Sequence, residues 1–567
     1  MPSLVRSPGP PRATWVLRAL CHLAAEVPFL AVVIAEITRV WRPYGDDAVV
    51  AWRSYDVFSS HSPLVGQFTQ SFVSAHPPYD LGPAEYWLLA LPVRLDTVHG
   101  ALWGAALVCV LAIGLAIEAA WSVARFPGAA AISLAVVVLV GTYSAVALDP
   151  IWNPYFGAVF LLATLATGWA TATGNLRWFP ALVVTASISA QSHLVFAIPA
   201  VAVAVGASLL GVATIGRRRA VAAGRWVVGG LLAGVALWVV PFIEQLTGHP
   251  GNISVLLANT GQSRVGISTG LRAIWTFARP LPEWWHSAAV PATSSVASTN
   301  HFVATLATGS AVDGVAVLVA LAVIAVLAAI AGRRLLCAAA TVSVLVALST
   351  AWSIGQLPAP QISRLSYLDV VLWPVGMIVW ATFLFAALTV VVAVARRIVA
   401  GQTTLGARSA LALPYGIAMA GLLAAGVLGT TTDISATASN PYRLEALHLT
   451  AALTPLAEKV APPGPFTMTL DGQLPPALYP PSLIQSIAYR LHVEGLDPRF
   501  AVDWQQIGPW TIPVPRSPTV TLRVGRGGQL SVTSCRADGR NCRTAGPVQL
   551  RPATTASTSR GAGLRLS

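Results

Sequence analysis

Long apolar runs, each cut off from the next by a short polar break, fill most of the first 430 residues. A helix rises about 1.5 Å per residue, so a run of about 20 apolar residues is long enough to cross the hydrocarbon of a bilayer. By that measure the pattern predicts about eleven membrane-spanning helices. They lie near Trp15–Ile37, Ala101–Ile117, Gly128–Leu148, Tyr155–Thr171, Trp178–Ser192, Leu194–Ile215, Trp226–Ile243, Val315–Ala331, Leu335–Trp352, Val370–Ala395 and Ala410–Thr430. Arg125, Arg177, Arg217-Arg218-Arg219, Arg333-Arg334 and Arg396-Arg397 with Arg408 fall in alternate loops. Cytoplasmic loops carry such an excess of arginine, so the N-terminus is expected inside and, after an odd number of crossings, the C-terminal tail outside. The join from Trp178 to Ile215 is broken by Gln191-Ser192-His193 and Pro199 and reads as two helices meeting at the outer surface. One long kinked helix is the competing reading; it would invert everything downstream, and the later arginine clusters oppose it.

Composition agrees with that picture. Hydrophobic residues make up 55% of the 567 and charged ones 10%, with a mean hydropathy of +0.67; an ordinary soluble domain is excluded. The net charge of +13 would suit nucleic acid, but its clusters sit between apolar runs, so no nucleic-acid partner is expected. Arg6 and Arg12 before the first run resemble a signal peptide, yet so many later spans favour an uncleaved anchor. Cys21, Cys109 and Cys337 lie inside apolar runs and read as small packing residues. Cys535 and Cys542 lie in the polar tail, where an extracytoplasmic location favours a short disulfide loop. Two thiols without nearby histidines make a poor zinc shell.

Three outer segments remain. Val40 to Gly100 reads as amphipathic helices lying along the membrane. Glu244 to Val312 is polar and rich in Gly, Ser and Thr. The tail from Thr431 alternates like strands at Phe466–Leu470 and Thr519–Val524, around a helical stretch at Leu483–Val493. The expected fold class is thus a polytopic α-helical membrane protein, with membrane domain 1–430 and a small extracytoplasmic α/β domain at 431–567, its end disordered after about Pro552.

Acids are scarce, so their positions carry information. Asp46-Asp47 follows the first span directly. A carboxylate at the bilayer surface can take a proton from a sugar or lipid hydroxyl, and like-charge neighbours and partial burial suit it to act as a base. Gly45-Asp46-Asp47 is equally a helix start signal, in which one aspartate caps while the other reacts. Arg39, Arg42, Arg53 and Arg94 stand on the side where loops should be poor in positive charge. They suit either a phosphate-bearing lipid donor or headgroup anchoring and local ion pairs. Arg264, Arg272, Arg279 and Arg364 come from later outer loops. Asp149-Pro150-Ile151-Trp152-Asn153-Pro154 and Gln191-Ser192-His193 face the same side, as turns or as part of a binding cavity. Arg18, His22 and Glu26 form a stripe at four-residue spacing near the inner end of the first span, read as a self-paired ladder. No P-loop, Rossmann fingerprint, HExxH or GxSxG occurs, so an enzyme here would use a donor reached from the membrane or the outer face.

Several stretches resemble the GT-C superfamily of integral-membrane glycosyltransferases, in the branch of protein O-mannosyltransferases and aminoarabinose transferases. They are Tyr44-Gly45-Asp46-Asp47-Ala48, Ser62–Gly66, His76-Pro77-Pro78 with Gly82–Trp87, Asp149–Pro154, Gln191–Leu194 and Glu244 through Asn252. The resemblance covers roughly the first half of the membrane region. It implies transfer of a sugar, with inversion, from a polyprenyl-phosphate donor to a glycan, lipid or protein acceptor of the cell envelope, at the extracytoplasmic face of a bacterial-type plasma membrane. It also implies that the first member of the acidic pair, Asp46, is the base, with Asp47 in the second acidic place. The family's second acid is usually Glu, so Asp47 departs from the pattern and leaves open which of the two is the base. Arg53, Arg264 and Arg42 become candidates for the donor phosphate, and His76, Glu85, Asp149, Asn153, Gln191 and His193 for the substrate cavity. No cofactor is required; acids beside a phosphate could hold a divalent cation. The rival readings are a flippase for lipid-linked glycans, which would place its polar residues at mid-membrane, and a non-catalytic envelope scaffold.

Overall fold

The computed structural model describes residues 11–39, 41–69, 76–147, 151–215, 217–258, 263–279, 309–359, 369–399, 441–474, 480–500, 504–525 and 529–549. The chain divides into two compact units. The first comprises Met1–Ala35, Leu64–Glu85 and Ala105–Ala436; the second comprises Glu36–Pro63, Tyr86–Gly104 and Thr437–Ser567. The second unit is therefore wider than the predicted tail, because two pieces of the first outer segment belong to it.

The helices are α1 (Pro11–Arg39), α2 (Asp46–Tyr55), α3 (Ala84–Leu95), α4 (Gly100–Ala147), α5 (Asn153–Ala172), α6 (Phe179–Ser192), α7 (Leu194–Thr214) and α8 (Arg217–Thr247). They continue with α9 (Asn252–Ala258), α10 (Ile267–Ala278), α11 (Ala311–Ile330), α12 (Arg334–Gly355), α13 (Asp369–Val399), α14 (Pro441–Val460) and α15 (Pro480–Val493). Among the described residues, 8 helices are long and apolar enough to cross a membrane: α1, α4, α5, α7, α8, α11, α12 and α13.

Three details separate this count from the eleven expected runs. Helix α4 is one continuous element, yet it reverses at Arg125, where φ is 56°. A Cβ on Gly128 would stand 2.6 Å from the Ala120 carbonyl oxygen, whereas a straight helix holds residues eight apart at about 12 Å. It therefore supplies both the second and third predicted runs. Helix α6 has 14 residues, about 21 Å, which is shorter than the bilayer core. Its second half is buried without a break from Thr185 to Ser192, so protein rather than lipid surrounds that half. The run Ala410–Thr430 and the tail after 549 lie outside the described residues.

Helix α5 is the axis of the first unit, buried at every residue but Tyr155. Its Thr164, Thr167 and Thr171 hydroxyls donate to carbonyls one turn back, so no hydroxyl is left unsatisfied by burial. Thr167 meets Thr185 and Gly157 meets Ser189, which sets α6 antiparallel to α5. Gly157 meets Phe196 while Gly168 meets Val203, which sets α7 parallel to it. The chain thus reverses at His193, in extended conformation between the two helices: the paired-helix reading is correct and the single kinked helix is not.

In the second unit a 5-stranded sheet has the order β2-β1-β3-β4-β5, with β1 (Pro465–Asp471), β2 (Asp497–Phe500), β3 (Thr519–Val524), β4 (Gln529–Cys535) and β5 (Arg543–Gln549). β1 pairs in parallel with β2 and β3; β3, β4 and β5 are antiparallel. Alternation at Val520 and Leu522 buries one face of β3. Cys535 and Cys542 are disulfide-bonded across the β4–β5 turn.

Candidate functional site

Asp46 and Asp47 are the first two residues of α2, both half-buried. The capping position belongs to Gly45, and no side chain caps the helix, so neither aspartate is the cap that the sequence suggested. Placed instead in the first turn, both carboxylates lie where the helix dipole favours negative charge. Gly45 adopts φ 61° and ψ −126°, conformation that glycine alone enters without strain. Its N–H donates to Ser486 Oγ at 3.3 Å, and a Cβ there would stand 2.9 Å from Ser482 Oγ. Helix α15 therefore fixes the turn that presents the acids.

The rest of α2 is enclosed by protein. Ala48 through Ser54 are all buried, so this helix does not lie with one face on lipid as expected. Arg53 is 5% exposed; its guanidinium donates to the Ile507 carbonyl and stands over the rings of Trp510 and Tyr86 at 5.0 and 5.7 Å. Asp56 pairs with His492 at 2.8 Å, and His492 stacks on Trp52 at 4.6 Å between centroids. Tyr489 donates to the Thr97 carbonyl and Arg490 to Thr97 Oγ1. Arg42 is half-buried, and its Nε has no hydrogen-bond partner among the described residues. By contrast α3 exposes Trp87, Leu88, Leu91 and Leu95, a one-sided apolar stripe suited to the membrane interface.

A second polar constellation lies in the first unit, around a residue that sequence reasoning passed over. Asp80 is 1% exposed. It accepts the N–H of Leu194, the first residue of α7, at 2.8 Å and the Asn153 amide at 3.0 Å. Asn153 also donates to the Ser192 carbonyl at 2.9 Å. Asn252 exchanges hydrogen bonds with the Tyr79 backbone at 3.0 Å in both directions, and Glu244 accepts the Asn252 N–H. The strand-like pair Gly66–Thr69 and Pro78–Asp80 completes the hub through three backbone bonds. Residues from four of the stretches that carry the resemblance thus meet at Asp80, which itself lies between the two parts of a fifth: Asn153 and Leu194 at its carboxylate, and Gly66 and Asn252 at its backbone carbonyl. Burial pushes the Asp80 pKa well above the usual carboxylate range, against the opposing Leu194 and Asn153 donors. The only signal in the sequence was an acid flanked by Pro77-Pro78 and Gly82-Pro83.

Gln191 is 1% exposed and donates to the Leu237 carbonyl at 2.9 Å; its Oε1 faces Gly82, where a Cβ would come within 2.2 Å. His193 is 4% exposed and caps α7, its Nδ1 accepting the Val195 N–H at 3.2 Å. Burial pushes its pKa down to about 4. Glu85 is buried, while His76 and Arg264 are exposed. Asp149 and Arg364 lie outside the described residues. Among the described residues no three His, Cys, Asp or Glu side chains gather in a way that could hold a metal ion.

No protein-family model matches the chain, and no curated protein matches it. Solved structures do. The chain is similar to ArnT from Cupriavidus metallidurans bound to undecaprenyl phosphate, at 15% identity and TM-score 0.47, over 90% of this chain and 93% of that one. It is also similar to the Archaeoglobus fulgidus oligosaccharyltransferase in the apo form, at 13% identity and TM-score 0.37, over 84% of this chain and 64% of that one.

Proposed function

We propose that the chain is a membrane glycosyltransferase of GT-C type, which moves a sugar from a polyprenyl-phosphate donor to a hydroxyl of a cell-envelope acceptor at the extracytoplasmic face. The observation that carries this reading is the acidic pair at the start of α2, half-buried and held by a turn that only glycine makes easily. One carboxylate accepts the proton of the acceptor hydroxyl as its oxygen attacks the anomeric carbon. The bond from that carbon to the phosphate oxygen breaks with inversion, and its electron pair leaves with the lipid phosphate. A phosphate leaves readily, so positive charge matters there more than a proton donor. Arg42 and Arg264 remain the candidates for that task. Arg53 is engaged with Ile507, Tyr86 and Trp510, and we infer that it holds α2 rather than the donor. The buried hub at Asp80 frames the loops and does not react.

The test is sugar transfer from a synthetic polyprenyl-phosphate sugar by purified protein, read as release of polyprenyl phosphate. Asp46→Asn or Asp47→Asn should lower the rate by about 10²–10⁴, the range for loss of a general base, with yield and melting temperature unchanged. Full activity in both variants removes the pair from the mechanism.

A further inference from the structure

We propose that an arginine-lined hollow at one end of the first unit binds the phosphate of an anionic lipid headgroup. The hollow encloses about 330 Å³. Arg18 of α1, Arg125 at the reversal of α4 and Arg177 in the turn between α5 and α6 all line it, with Glu118 the one acid among its lining residues. Three guanidinium groups against one carboxylate leave an excess of positive charge around a half-open hollow, at whose rim Arg125 and Arg177 are exposed. Arg18 is already neutralised, since its guanidinium forms a two-pronged pair with Glu118, and Glu118 also holds His22 at 2.9 Å. Arg125 and Arg177 pair with no carboxylate among the described residues. Two like charges facing one hollow repel unless an anion lies between them, and a phosphate suits paired guanidinium groups through charge-assisted hydrogen bonds.

Two further features fit such a ligand. Arg125 is a non-glycine residue at φ 56°, a left-handed conformation that L side chains rarely adopt and that fixes where its side chain leaves the turn. Trp178 of the hollow is held in place: its Nε1 donates to Ser122 Oγ at 2.8 Å, and Arg177 stands over its ring at 5.9 Å. Indole rings beside arginines at the ends of apolar helices mark the headgroup level of a bilayer, and basic pockets between such helices bind anionic headgroups. The helix ends here are those that the sequence assigns to the cytoplasmic side, so the site is separate from the proposed chemistry and does not depend on it.

Thermal unfolding of the full-length chain in neutral detergent tests the site. Phosphatidylglycerol should raise the midpoint by several degrees, as expected for a ligand that binds only the folded state, and phosphatidylcholine should not. The rise should vanish in the double variant Arg125→Gln, Arg177→Gln and persist in Arg333→Gln, Arg334→Gln. Inorganic phosphate provides the second arm: protection by lipid alone assigns a headgroup site, and protection by both assigns a site for the phosphate group itself. An equal response to phosphatidylglycerol in native and double-variant protein overturns the proposal, as does an equal response to phosphatidylcholine. Should the double variant fold poorly, a photoactivatable phosphatidylglycerol on native protein decides instead. Labelling concentrated in the peptides around Arg125 and Arg177 supports the site, and even labelling of all membrane helices refutes it.

Discussion

Asp80 and His193 are neighbours in space through Leu194, and burial acts on them in opposite directions. Asp80→Ala should cost about 1–3 kcal/mol, because it leaves the Leu194 N–H and one N–H of the Asn153 amide buried without that acceptor; a denaturation curve in detergent would show it. His193 gives a pH dependence with a definite sign. Its pKa falls from the ordinary 6.5 to about 4 on folding, so between those values the unfolded chain holds a proton that the folded chain lacks. Stability from this residue is complete above pH 6.5 and declines as the pH falls toward 4, by on the order of 3 kcal/mol. Asp80 works the other way: its raised pKa lowers stability as the pH climbs through the gap between unfolded and folded values. His193→Asn keeps a side chain able to cap α7 but removes the titration. The melting temperature of that variant should lose its decline between pH 6.5 and 4; a decline equal to that of the native chain would assign the acid sensitivity elsewhere. His193 was visible in the sequence as a polar interruption. Asp80 was not, since its meaning comes from donors 73 and 114 positions away.

At the scale of elements, the apolar runs and their breaks were legible because membrane helices satisfy their own backbone hydrogen bonds and declare themselves by length alone. The same holds for β1, β3 and α15, whose alternation or helical period is local. Helix α2 shows where such reading stops. Its ten residues mix acids, Arg53 and Ser54 with apolar ones, and the pattern fitted a surface helix. Its burial depends on α15 and Ile507, more than 400 positions along the chain. That dependence is testable at Gly45. Gly45→Ala places a Cβ against Ser482 Oγ and holds a β-carbon at positive φ, so a loss of about 1–3 kcal/mol is expected. Limited proteolysis should then cut the second unit faster than in the native chain, with α2 among the early sites. Unchanged protease resistance would show that the turn is not set by that contact.

For the molecule as a whole, the first unit sorts its polar residues to two ends of α5. Near Asn153 lie Asp80, Ser192 and Leu194. Near the other end, Gly174 contacts Thr214 and Ile215, just ahead of the Arg217 cluster. Trp169 donates to Leu335 beside Arg333-Arg334 and meets Phe385 of α13, whose end carries Arg396-Arg397. Arg18, Arg125 and Arg177 share the hollow at that end. The arginine-bearing turns, chosen from sequence by alternation alone, are thus gathered on one side by the packing of α5, α7, α12 and α13. Cytoplasmic loops carry an excess of arginine, so we propose this end as the inner side and the Asp80 end as the outer one. The expected outcome is asymmetric labelling in intact cells. A cysteine introduced by Arg333→Cys should resist a membrane-impermeant maleimide until the cells are opened, whereas one introduced by Asp538→Cys, in the exposed β4–β5 turn, should react at once. Reaction of both, or protection of both, in intact cells would break the odd-crossing topology and with it the assignment of the acidic pair to the extracytoplasmic face.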